Sequence, residues 1–231
     1  MAVFGLLHGA FEGAWCWDLL IPELNKLGHW AIAVDLPIDD VTASWDDHVD
    51  SALGTFGDPG TVVVAHSRSG RMVPRLLERG GYRNLILLAA AIPGGLLPPP
   101  YVSTPRPRSG GPTAGGPPAD ELGRSVLTRA GAEQVFAGCS PEIVDRAVGL
   151  LRPQHELPSP SDTIWPPVNV SYVFGEDDAV VDPAWMRAAA AERLGVTAIE
   201  LPGGHSLFLS HQRELAQCFD AIVATIPEET A

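Results

Sequence analysis

Short apolar segments alternate with helical segments along most of this chain, and this alternation constrains the fold most. The six predicted strands are Val3–Leu7, Ala31–Leu36, Thr61–Ala65, Asn84–Ala89, Val168–Phe174 and Thr197–Leu201. They lack the polar–apolar alternation of a half-exposed strand, as expected for strands covered on both faces. The helical patterns between and after them are Trp17–Leu27, Trp45–Phe56, Arg68–Glu78, Pro183–Leu194 and Glu214–Ile226. This order predicts an α/β fold with a mostly parallel central sheet flanked by helices.

One interval, residues 92–167, interrupts this alternation and contains no convincing strand. Residues 93–118 are dense in Pro, Gly and Ser, and such a segment is predicted to be mobile because it cannot bury enough apolar surface. Two helices are expected after it, over Ala119–Phe136 and from Ser140-Pro141-Glu142 to Leu151. Ser140 is placed to cap the second helix, with a proline at its first position.

An insertion after a central strand that closes over the strands' carboxyl ends predicts a helical lid. A disordered linker is the alternative. The sheet resumes at Val168, so both ends of the insertion must meet on one domain, which favours the lid. The predicted organisation is a core of residues 1–91 and 168–231 with a lid at 92–167.

Composition narrows the class of protein. With 231 residues, 45% of them hydrophobic, the chain can bury one substantial core. A formal charge of −13 disfavours nucleic acid and anionic membranes as partners. No apolar run approaches the ~20 residues of a membrane span, and the first eight residues are too short for a signal peptide. We therefore expect a cytoplasmic protein; its oligomeric state stays open, a homodimer included.

Cysteine usage gives no sign of a metal or disulfide framework. The three cysteines, Cys16, Cys139 and Cys218, are scattered and lack metal-type spacing. They are interpreted as reduced packing residues. No metal and no organic cofactor is implied.

Residues 61–70, Thr-Val-Val-Val-Ala-His-Ser-Arg-Ser-Gly, have the pattern of a nucleophile elbow. In such an elbow, a buried strand turns sharply into a helix and exposes a serine hydroxyl in a cleft. The usual pattern is Gly-x-Ser-x-Gly, because larger side chains clash in the tight turn. Here Ala65 and Ser69 flank Ser67, so the match is relaxed and needs support from other residues.

Two later strand ends supply partners for Ser67. A serine hydroxyl needs a base to take its proton, and a carboxylate to orient that base. Asp178 follows the fifth predicted strand and His205 follows the sixth, where catalytic groups gather in open α/β sheets. Alone, each would be an ordinary loop residue. The order Ser, Asp, His together with the elbow predicts a catalytic triad of Ser67, Asp178 and His205.

A tetrahedral intermediate also needs two backbone N–H donors aimed at its oxyanion. One is expected from Arg68, directly after the nucleophile, and the other from Ala10 in the loop after the first strand. Gly9 allows the backbone of that loop to approach closely; the alternative is an ordinary strand-ending turn.

At this point the chain resembles the α/β-hydrolase superfamily, in its methylesterase and hydroxynitrile lyase branch with bacterial hydrolase relatives. The motifs that carry the resemblance are His8-Gly9-Ala10, Gly13-Ala14-Trp15-Cys16-Trp17, Leu27-Gly28-His29, Val34-Asp35-Leu36-Pro37, the elbow, Gly175–Asp178 and Gly203–Leu209, with Cys139–Glu142 and Leu151–Gln154 in the lid. The resemblance implies the α/β-hydrolase fold, and it implies for Ser67, His205, Asp178, Ala10 and Arg68 the roles given above. Asp177, Asp182 and His211 are the rivals for these roles.

Departures within the branch bear on the reaction. Hydroxynitrile lyases of the branch have threonine, glutamate and lysine where this chain has Gly9, His66 and Ser206, so cyanohydrin cleavage is disfavoured. We expect hydrolysis of a carboxylic ester, thioester or lactone of a small hydrophobic molecule. A lyase that uses the same Ser-His-Asp site without hydrolysis is the first alternative, and a ligand-binding receptor on this fold is the second.

Two residues are candidates for the substrate pocket. Trp15 follows the predicted oxyanion loop, although it could instead be a packing aromatic. Ser69 adds a hydroxyl and a Cβ where the family prefers glycine, so it is expected to tune the site away from plain ester hydrolysis. The Arg68 side chain either faces solvent or meets an anionic group of the substrate.

Overall fold

The strands of the described chain form one parallel sheet. The computed structural model describes residues 1–97, 117–160 and 163–226. The strands are β1 (Val3–Leu7), β2 (Trp30–Val34), β3 (Val62–His66), β4 (Asn84–Leu88), β5 (Asn169–Gly175) and β6 (Ile199–Leu201). They are ordered β2-β1-β3-β4-β5-β6, with every neighbouring pair parallel. The predicted parallel sheet is therefore confirmed.

Helices connect the strands and cover both faces of the sheet. They are α1 (Leu20–Lys26), α2 (Trp45–Phe56), α3 (Val73–Gly80), α4 (Arg129–Val135), α5 (Pro141–Leu150), α6 (Pro183–Ala189), α7 (Leu207–Ser210) and α8 (Gln212–Ala224). Two 3₁₀ helices, Ala14–Trp17 and Ser67–Arg71, precede α1 and α3, and a π-helical turn, Ala190–Leu194, extends α6.

The four inner strands, β1, β3, β4 and β5, send alternate side chains into two apolar clusters, one on each face of the sheet. The edge strand β2 leaves Trp30 and Ile32 exposed. Val63 of β3 contributes to a cluster with residues of α2, α3 and α6. Val64, the next residue, contributes to a second cluster with residues of α1 and α8, which α4 and α5 join. Burial on both faces explains why the strand sequences are apolar without alternation.

One predicted helix is wrong over its first half. The helix expected over Ala119–Phe136 begins only at Arg129, with Thr128 as its N-cap. Upstream, the Asp120 carboxylate accepts hydrogen bonds from the N–H groups of Leu122 and Arg124, at 3.0 and 2.9 Å, and Gly123 has a positive φ of 76°. This local turn competes with a helix for the same backbone donors.

The segment predicted to be mobile, residues 93–118, lies mostly outside the described residues. None of the helices in the described ranges combines the length and the apolar character needed to cross a bilayer.

Candidate active site

The strand-to-helix turn after β3 holds Ser67 in a strained conformation. Ser67 has φ of 51°, which costs free energy for a residue with a side chain. The turn is tight because the 3₁₀ helix packs against the backbone after β4: the Ala91 N–H donates to the Ser67 carbonyl at 2.9 Å. A Cβ on Gly70 would lie 2.0 Å from the Ala91 carbonyl oxygen, so only glycine fits there. This packing fixes the direction of the Ser67 hydroxyl.

Ser67, His205 and Asp178 form a continuous hydrogen-bonded row. His205 Nε2 lies 3.1 Å from Ser67 Oγ, and His205 Nδ1 lies 2.7 Å from Asp178 Oδ2. Asp178 Oδ1 accepts hydrogen bonds from the N–H groups of Val180 and Val181, at 2.7 and 2.9 Å. Both oxygens of the buried carboxylate are thus occupied, and the imidazole is held at the serine.

The loops that carry Asp178 and His205 approach each other closely at the end of β5. A Cβ on Gly175 would lie 2.3 Å from the carbonyl oxygens of Gly203 and Gly204, so a side chain there would push the loops apart. The Asp177 N–H donates to the Gly203 carbonyl at 2.9 Å and bridges the same two loops.

The surroundings keep Asp178 ionised and make His205 a stronger base than a free imidazole. Burial alone would raise the pKa of Asp178, but the charge of His205 and hydrogen bonds from His205, Val180 and Val181 hold this pKa below its ordinary value. Burial would lower the pKa of His205, but the charge and hydrogen bond of the Asp178 carboxylate, with a smaller contribution from Glu12, hold this pKa above its ordinary value. An ionised Asp178 therefore keeps Nδ1–H on the imidazole, and Nε2 is free to accept the serine proton.

The loop after β1, residues 8–12, brings the second predicted oxyanion donor, Ala10, close to Ser67, and we refer to it as the oxyanion loop. Ala10 and Arg68 both line the cavity at Ser67. The Arg68 N–H lies in the first turn of the 3₁₀ helix Ser67–Arg71, whose first N–H groups have no partner within the helix. The Ala10 N–H makes no hydrogen bond to any of the described residues. Both donors are available to a ligand.

His8 and Ser69 stabilise this loop. The His8 Nδ1–H donates to the Gly9 carbonyl at 2.8 Å, and His8 Nε2 accepts from the Leu36 N–H at 3.0 Å. Burial lowers the pKa of His8 to about 4, so the ring is neutral at pH 7, as this pattern requires. The Ser69 hydroxyl donates to the His8 carbonyl and links the elbow to the loop.

A buried Glu12–His66 pair lies beneath the site, and sequence reasoning missed it. Glu12 Oε2 accepts from the Gly9 N–H at 2.8 Å and lies 3.2 Å from His66 Nδ1, and both side chains are 1% exposed. Burial acts to raise the pKa of Glu12, but the charge and hydrogen bond of His66, together with His8 and the Gly9 N–H, hold this pKa below its ordinary value. The His66 ring lies against His205, with centroids 4.7 Å apart, and His66 Nε2 is 3.3 Å from the His205 carbonyl. One carboxylate thus supports both the oxyanion loop and the candidate base.

The stretch after α5 also contacts the loop, through Arg152 and Gln154. The Arg152 guanidinium donates to the carbonyls of Glu12 and Leu36, at 3.0 and 3.1 Å, and the Arg152 N–H donates to the Phe11 carbonyl at 2.8 Å. Gln154, fully buried, accepts from the Phe11 N–H at 3.4 Å. Phe11 has a positive φ of 65°, and these contacts hold it there. The sequence offered only the Arg152-Pro-Gln154 motif as a signal.

A cavity of about 490 Å³ opens at Ser67. Its apolar wall includes Ala89, Ile92, Val180, Val181 and Trp185. Among the described residues, its polar wall carries three arginines, Arg68, Arg71 and Arg193, and one carboxylate, Glu156. The size and lining suit a small, mostly apolar molecule with a few fixed polar contacts.

Two residues predicted for the pocket lie outside this cavity lining. Trp15 packs against Phe136 of the segment after α4, with ring centroids 6.4 Å apart. Ser69 is 4% exposed, and its hydroxyl donates a hydrogen bond to the His8 carbonyl. Ser69 therefore acts on the oxyanion loop rather than on the cavity surface.

The three rival residues lie away from the Ser67–His205–Asp178 row. Asp177 is exposed, Asp182 caps α6 by accepting from the Ala184 N–H at 2.9 Å, and His211 Nδ1 lies 3.0 Å from Ser210 Oγ. Within the described ranges, no group of three or more His, Cys, Asp or Glu side chains is arranged to hold a metal ion.

The comparison with known families decides the membership of the chain. The model of a family described as "Alpha/beta hydrolase family" matches residues 6–218. The chain belongs to this family. The recognised α/β-hydrolase fold is therefore confirmed.

Individual proteins similar to this α/β hydrolase include members of the methylesterase-like branch. Norfluorocurarine synthase 1 from Strychnos sp is 26% identical over 95% of the hydrolase and 94% of its own chain. Esterase PIR7B from Oryza sativa subsp. japonica is 31% identical, over 39% of each chain. The crystal structure of the methylesterase MES16 from Arabidopsis superposes on the hydrolase with a TM-score of 0.73, at 21% identity, covering 98% of the hydrolase and 100% of that chain.

Proposed function

We propose that this α/β hydrolase is a serine esterase that cleaves a carboxylic ester of a small hydrophobic molecule through an acyl-enzyme on Ser67. The observation that carries the proposal is the hydrogen-bonded row Ser67–His205–Asp178, with distances of 3.1 and 2.7 Å, at the base of an apolar cavity. Thioesters and lactones present the same electrophilic carbonyl and belong to the proposed substrate class.

The proposed reaction begins with attack of Ser67 Oγ on the ester carbonyl carbon. His205 Nε2 takes the hydroxyl proton as the C–O bond forms, and Asp178 stabilises the resulting imidazolium. The carbonyl oxygen becomes an oxyanion that accepts hydrogen bonds from the Ala10 and Arg68 N–H groups. Collapse of the intermediate expels the alcohol, which receives the proton from His205 and leaves an ester bond to Ser67.

Deacylation repeats these steps with water. His205 takes a proton from the water as its oxygen attacks the acyl carbon, and the acid departs when Ser67 Oγ regains a proton from His205. No group outside the chain is needed for proton balance.

Residues 92–167 have the proposed role of a lid over the site. The support comes from contacts of the described part: Arg152 and Gln154 bind the oxyanion loop, and Glu156, Ser159 and Pro160 line the cavity. In addition, the Ser206 hydroxyl, next to His205, donates to the Val135 carbonyl of α4 at 2.9 Å.

The test uses 4-nitrophenyl esters of short fatty acids and the variant Ser67→Ala. We expect Ser67→Ala to lower kcat by at least about 10⁴-fold with an unchanged circular dichroism spectrum. Ser51→Ala is the matched control, because the Ser51 hydroxyl lies on α2 and donates to the Asp47 carbonyl of the same helix at 2.9 Å. A fluorophosphonate should label wild type at Ser67 alone. Turnover by Ser67→Ala close to that of wild type would overturn the proposal.

A second candidate is a lyase, in which the Ser67–His205 pair moves a proton without forming an acyl-enzyme. The observation that favours it is that a curated relative matching nearly the full length is named a synthase rather than an esterase. Hydrolysis in H₂¹⁸O separates the two: an esterase places one ¹⁸O in the acid product, whereas elimination places none.

A further inference from the structure

The polar wall of the active-site cavity has the opposite charge to the chain as a whole. The chain carries a formal charge of −13, yet the described residues that line this cavity include three arginines and one carboxylate. Arg193 already donates to the Ile92 carbonyl at 2.9 Å and lies over the Trp185 ring at 5.9 Å. The other two, Arg68 and Arg71, are on the short helix that begins with Ser67.

Neighbouring residues fix the Arg68 guanidinium, but its positive charge is only partly compensated. Its guanidinium lies 4.7 Å from the Trp45 ring centroid, and Nη2 donates to the His155 carbonyl at 3.1 Å. Its side chain is only 10% exposed, and the Glu156 carboxylate, which is 53% exposed, lies 3.9 Å from Nε. Arg68 Nε is buried and has no hydrogen-bond partner among the residues that the structure describes. Burying a cation in this way is unfavourable unless an anion or acceptor completes its contacts.

Arg71 places a second positive charge beside Arg68. Residues three apart lie on the same face of a 3₁₀ helix, so both stems leave the helix on one side. Arg71 makes no ion pair with any residue in the described part of the chain. Burial lowers the pKa of Arg68 to about 10, with Arg71 contributing, so Arg68 remains protonated at pH 7. Arg68 and Arg71 together carry two positive charges, and Glu156 balances one of them, so this pair of arginines is left with one positive charge in excess.

We propose that Arg68 and Arg71 bind a carboxylate on the substrate, so that the preferred substrate is a hydrophobic ester that also carries one free carboxylate group. This proposal deepens the esterase assignment and rests on it. A monoanion matches the single excess charge, and the planar guanidinium of Arg68, fixed by Trp45 and His155, suits the geometry of a carboxylate. The apolar wall formed by Ile92, Val181 and Trp185 receives the hydrocarbon between the two groups.

The first test compares matched ester pairs. Mono-4-nitrophenyl esters of dicarboxylic acids with four to eight carbons are compared with 4-nitrophenyl esters of the corresponding ω-amides. Wild type is expected to favour the carboxylate member by at least about 10-fold in kcat/KM at one chain length, because the acid must reach the arginines when the ester carbonyl is at Ser67. A single charge-assisted hydrogen bond to the substrate is expected to contribute about this 10-fold factor.

Variants assign this preference to the cavity wall. Arg71→Gln is expected to reduce the carboxylate-to-amide ratio by about 10-fold, and Glu156→Gln is expected to increase it, because a competing negative charge is removed. Arg79→Gln is the matched control: Arg79 is an arginine of α3 that pairs with Asp50 on the surface, and its replacement should leave the ratio unchanged. A wild-type ratio near one at every length, or a ratio insensitive to Arg71→Gln, overturns the proposal.

A binding measurement separates this proposal from the esterase assignment. Ser67→Ala protein is titrated calorimetrically with hexanoate and with hexanamide, and the same titrations are made with Ser67→Ala/Arg71→Gln. Binding of hexanoate that needs Arg71 supports the anion site even if wild type cleaves no ester, in which case only the esterase assignment fails. Ester cleavage without a carboxylate preference and without hexanoate binding refutes the anion site alone.

Discussion

Ser69 stands where a glycine is usual in a strand-to-helix turn, and its side chain performs a specific task there. Its hydroxyl binds the His8 carbonyl, so the elbow and the oxyanion loop are joined through one hydrogen bond. The position in this turn that cannot carry a Cβ is Gly70, because a Cβ there would meet the Ala91 carbonyl. The relaxed motif is therefore compatible with a tight turn, because a different glycine allows the close approach.

Glu12 is the residue whose replacement should be most informative about the base. Its charge raises the pKa of His205, although less than Asp178 does, while burial of His205 acts in the opposite direction. In Glu12→Gln the pKa of His205 should therefore fall. Because His205 accepts a proton only when neutral, the acidic limb of the kcat/KM profile should move to lower pH. The measurement is ester hydrolysis between pH 4 and 9.

The same variant should also lower kcat, by roughly 10-fold, because a neutral amide cannot hold the Gly9 N–H and His66 with the charge-assisted strength of the carboxylate. Glu133→Gln on the surface of α4, 57% exposed, serves as the control for loss of a carboxylate. An acidic limb in Glu12→Gln that coincides with that of wild type would show that Glu12 does not act on His205.

At the scale of elements, the contact between the 3₁₀ helix and the backbone after β4 can be tested through two glycines. Gly70→Ala should destabilise the protein by about 3 kcal/mol, because the new Cβ would meet the Ala91 carbonyl at 2.0 Å. Gly54→Ala, in α2, has open space around its Cβ and should stabilise by about 0.5–1 kcal/mol through its helix propensity. Urea unfolding measures both; equal effects would contradict the close approach.

Elements whose pattern is local could be predicted from the sequence. Strands buried on both faces are recognisable as apolar runs, and Asp178 and His205 could be paired with Ser67 because parallel strands bring their carboxyl ends to one edge. The helix expected from Ala119 failed because the Asp120 side chain captures backbone donors that a helix would use. Propensity alone does not reveal this competition.

Contacts between distant segments could not be predicted in the same way. The His66–Glu12 pair joins residues 54 positions apart, and the Arg152 contact with the Glu12 carbonyl spans 140 positions. Neither follows from periodicity or from a motif, since each depends on how the loop after β1 packs against other segments. Sequence reasoning named Ser67, Asp178 and His205, which the structure brings together, but it missed the residues that support them from distant segments.

At the scale of the whole molecule, the buried His8 ring makes stability depend on pH. The pKa of His8 in the folded protein is about 4, whereas its ordinary value is 6.5. Between these values the unfolded chain binds a proton that the folded chain excludes, so the free energy of unfolding falls as pH drops from 6.5 to 4. At about 1.4 kcal/mol per pKa unit, this loss is on the order of 3 kcal/mol. His205 has the opposite sign: its raised pKa contributes stability at acidic pH that is lost as pH rises through that pKa.

His8→Gln isolates the contribution of His8. Urea unfolding of wild type and variant between about pH 4 and pH 7 should give a shallower slope for His8→Gln, even where the variant is less stable at every pH. The carboxylates of Asp178 and Glu12 remain in both proteins; their lowered pKa values place their loss of stability at more acidic pH. Parallel slopes in the two proteins would exclude His8 as the source.

Arg152 and Gln154 have a consequence for protein engineering and for the divergence of relatives. Because these two residues bind the backbone of Phe11 and Glu12, the stretch after α5 is part of the scaffold of the proposed active site. A chimera that exchanges residues 92–167 for the equivalent stretch of a relative would replace the supports of the oxyanion loop together with the cavity wall. Grafts intended to change substrate range should therefore end before Leu151, so that the recipient keeps its own arginine and glutamine.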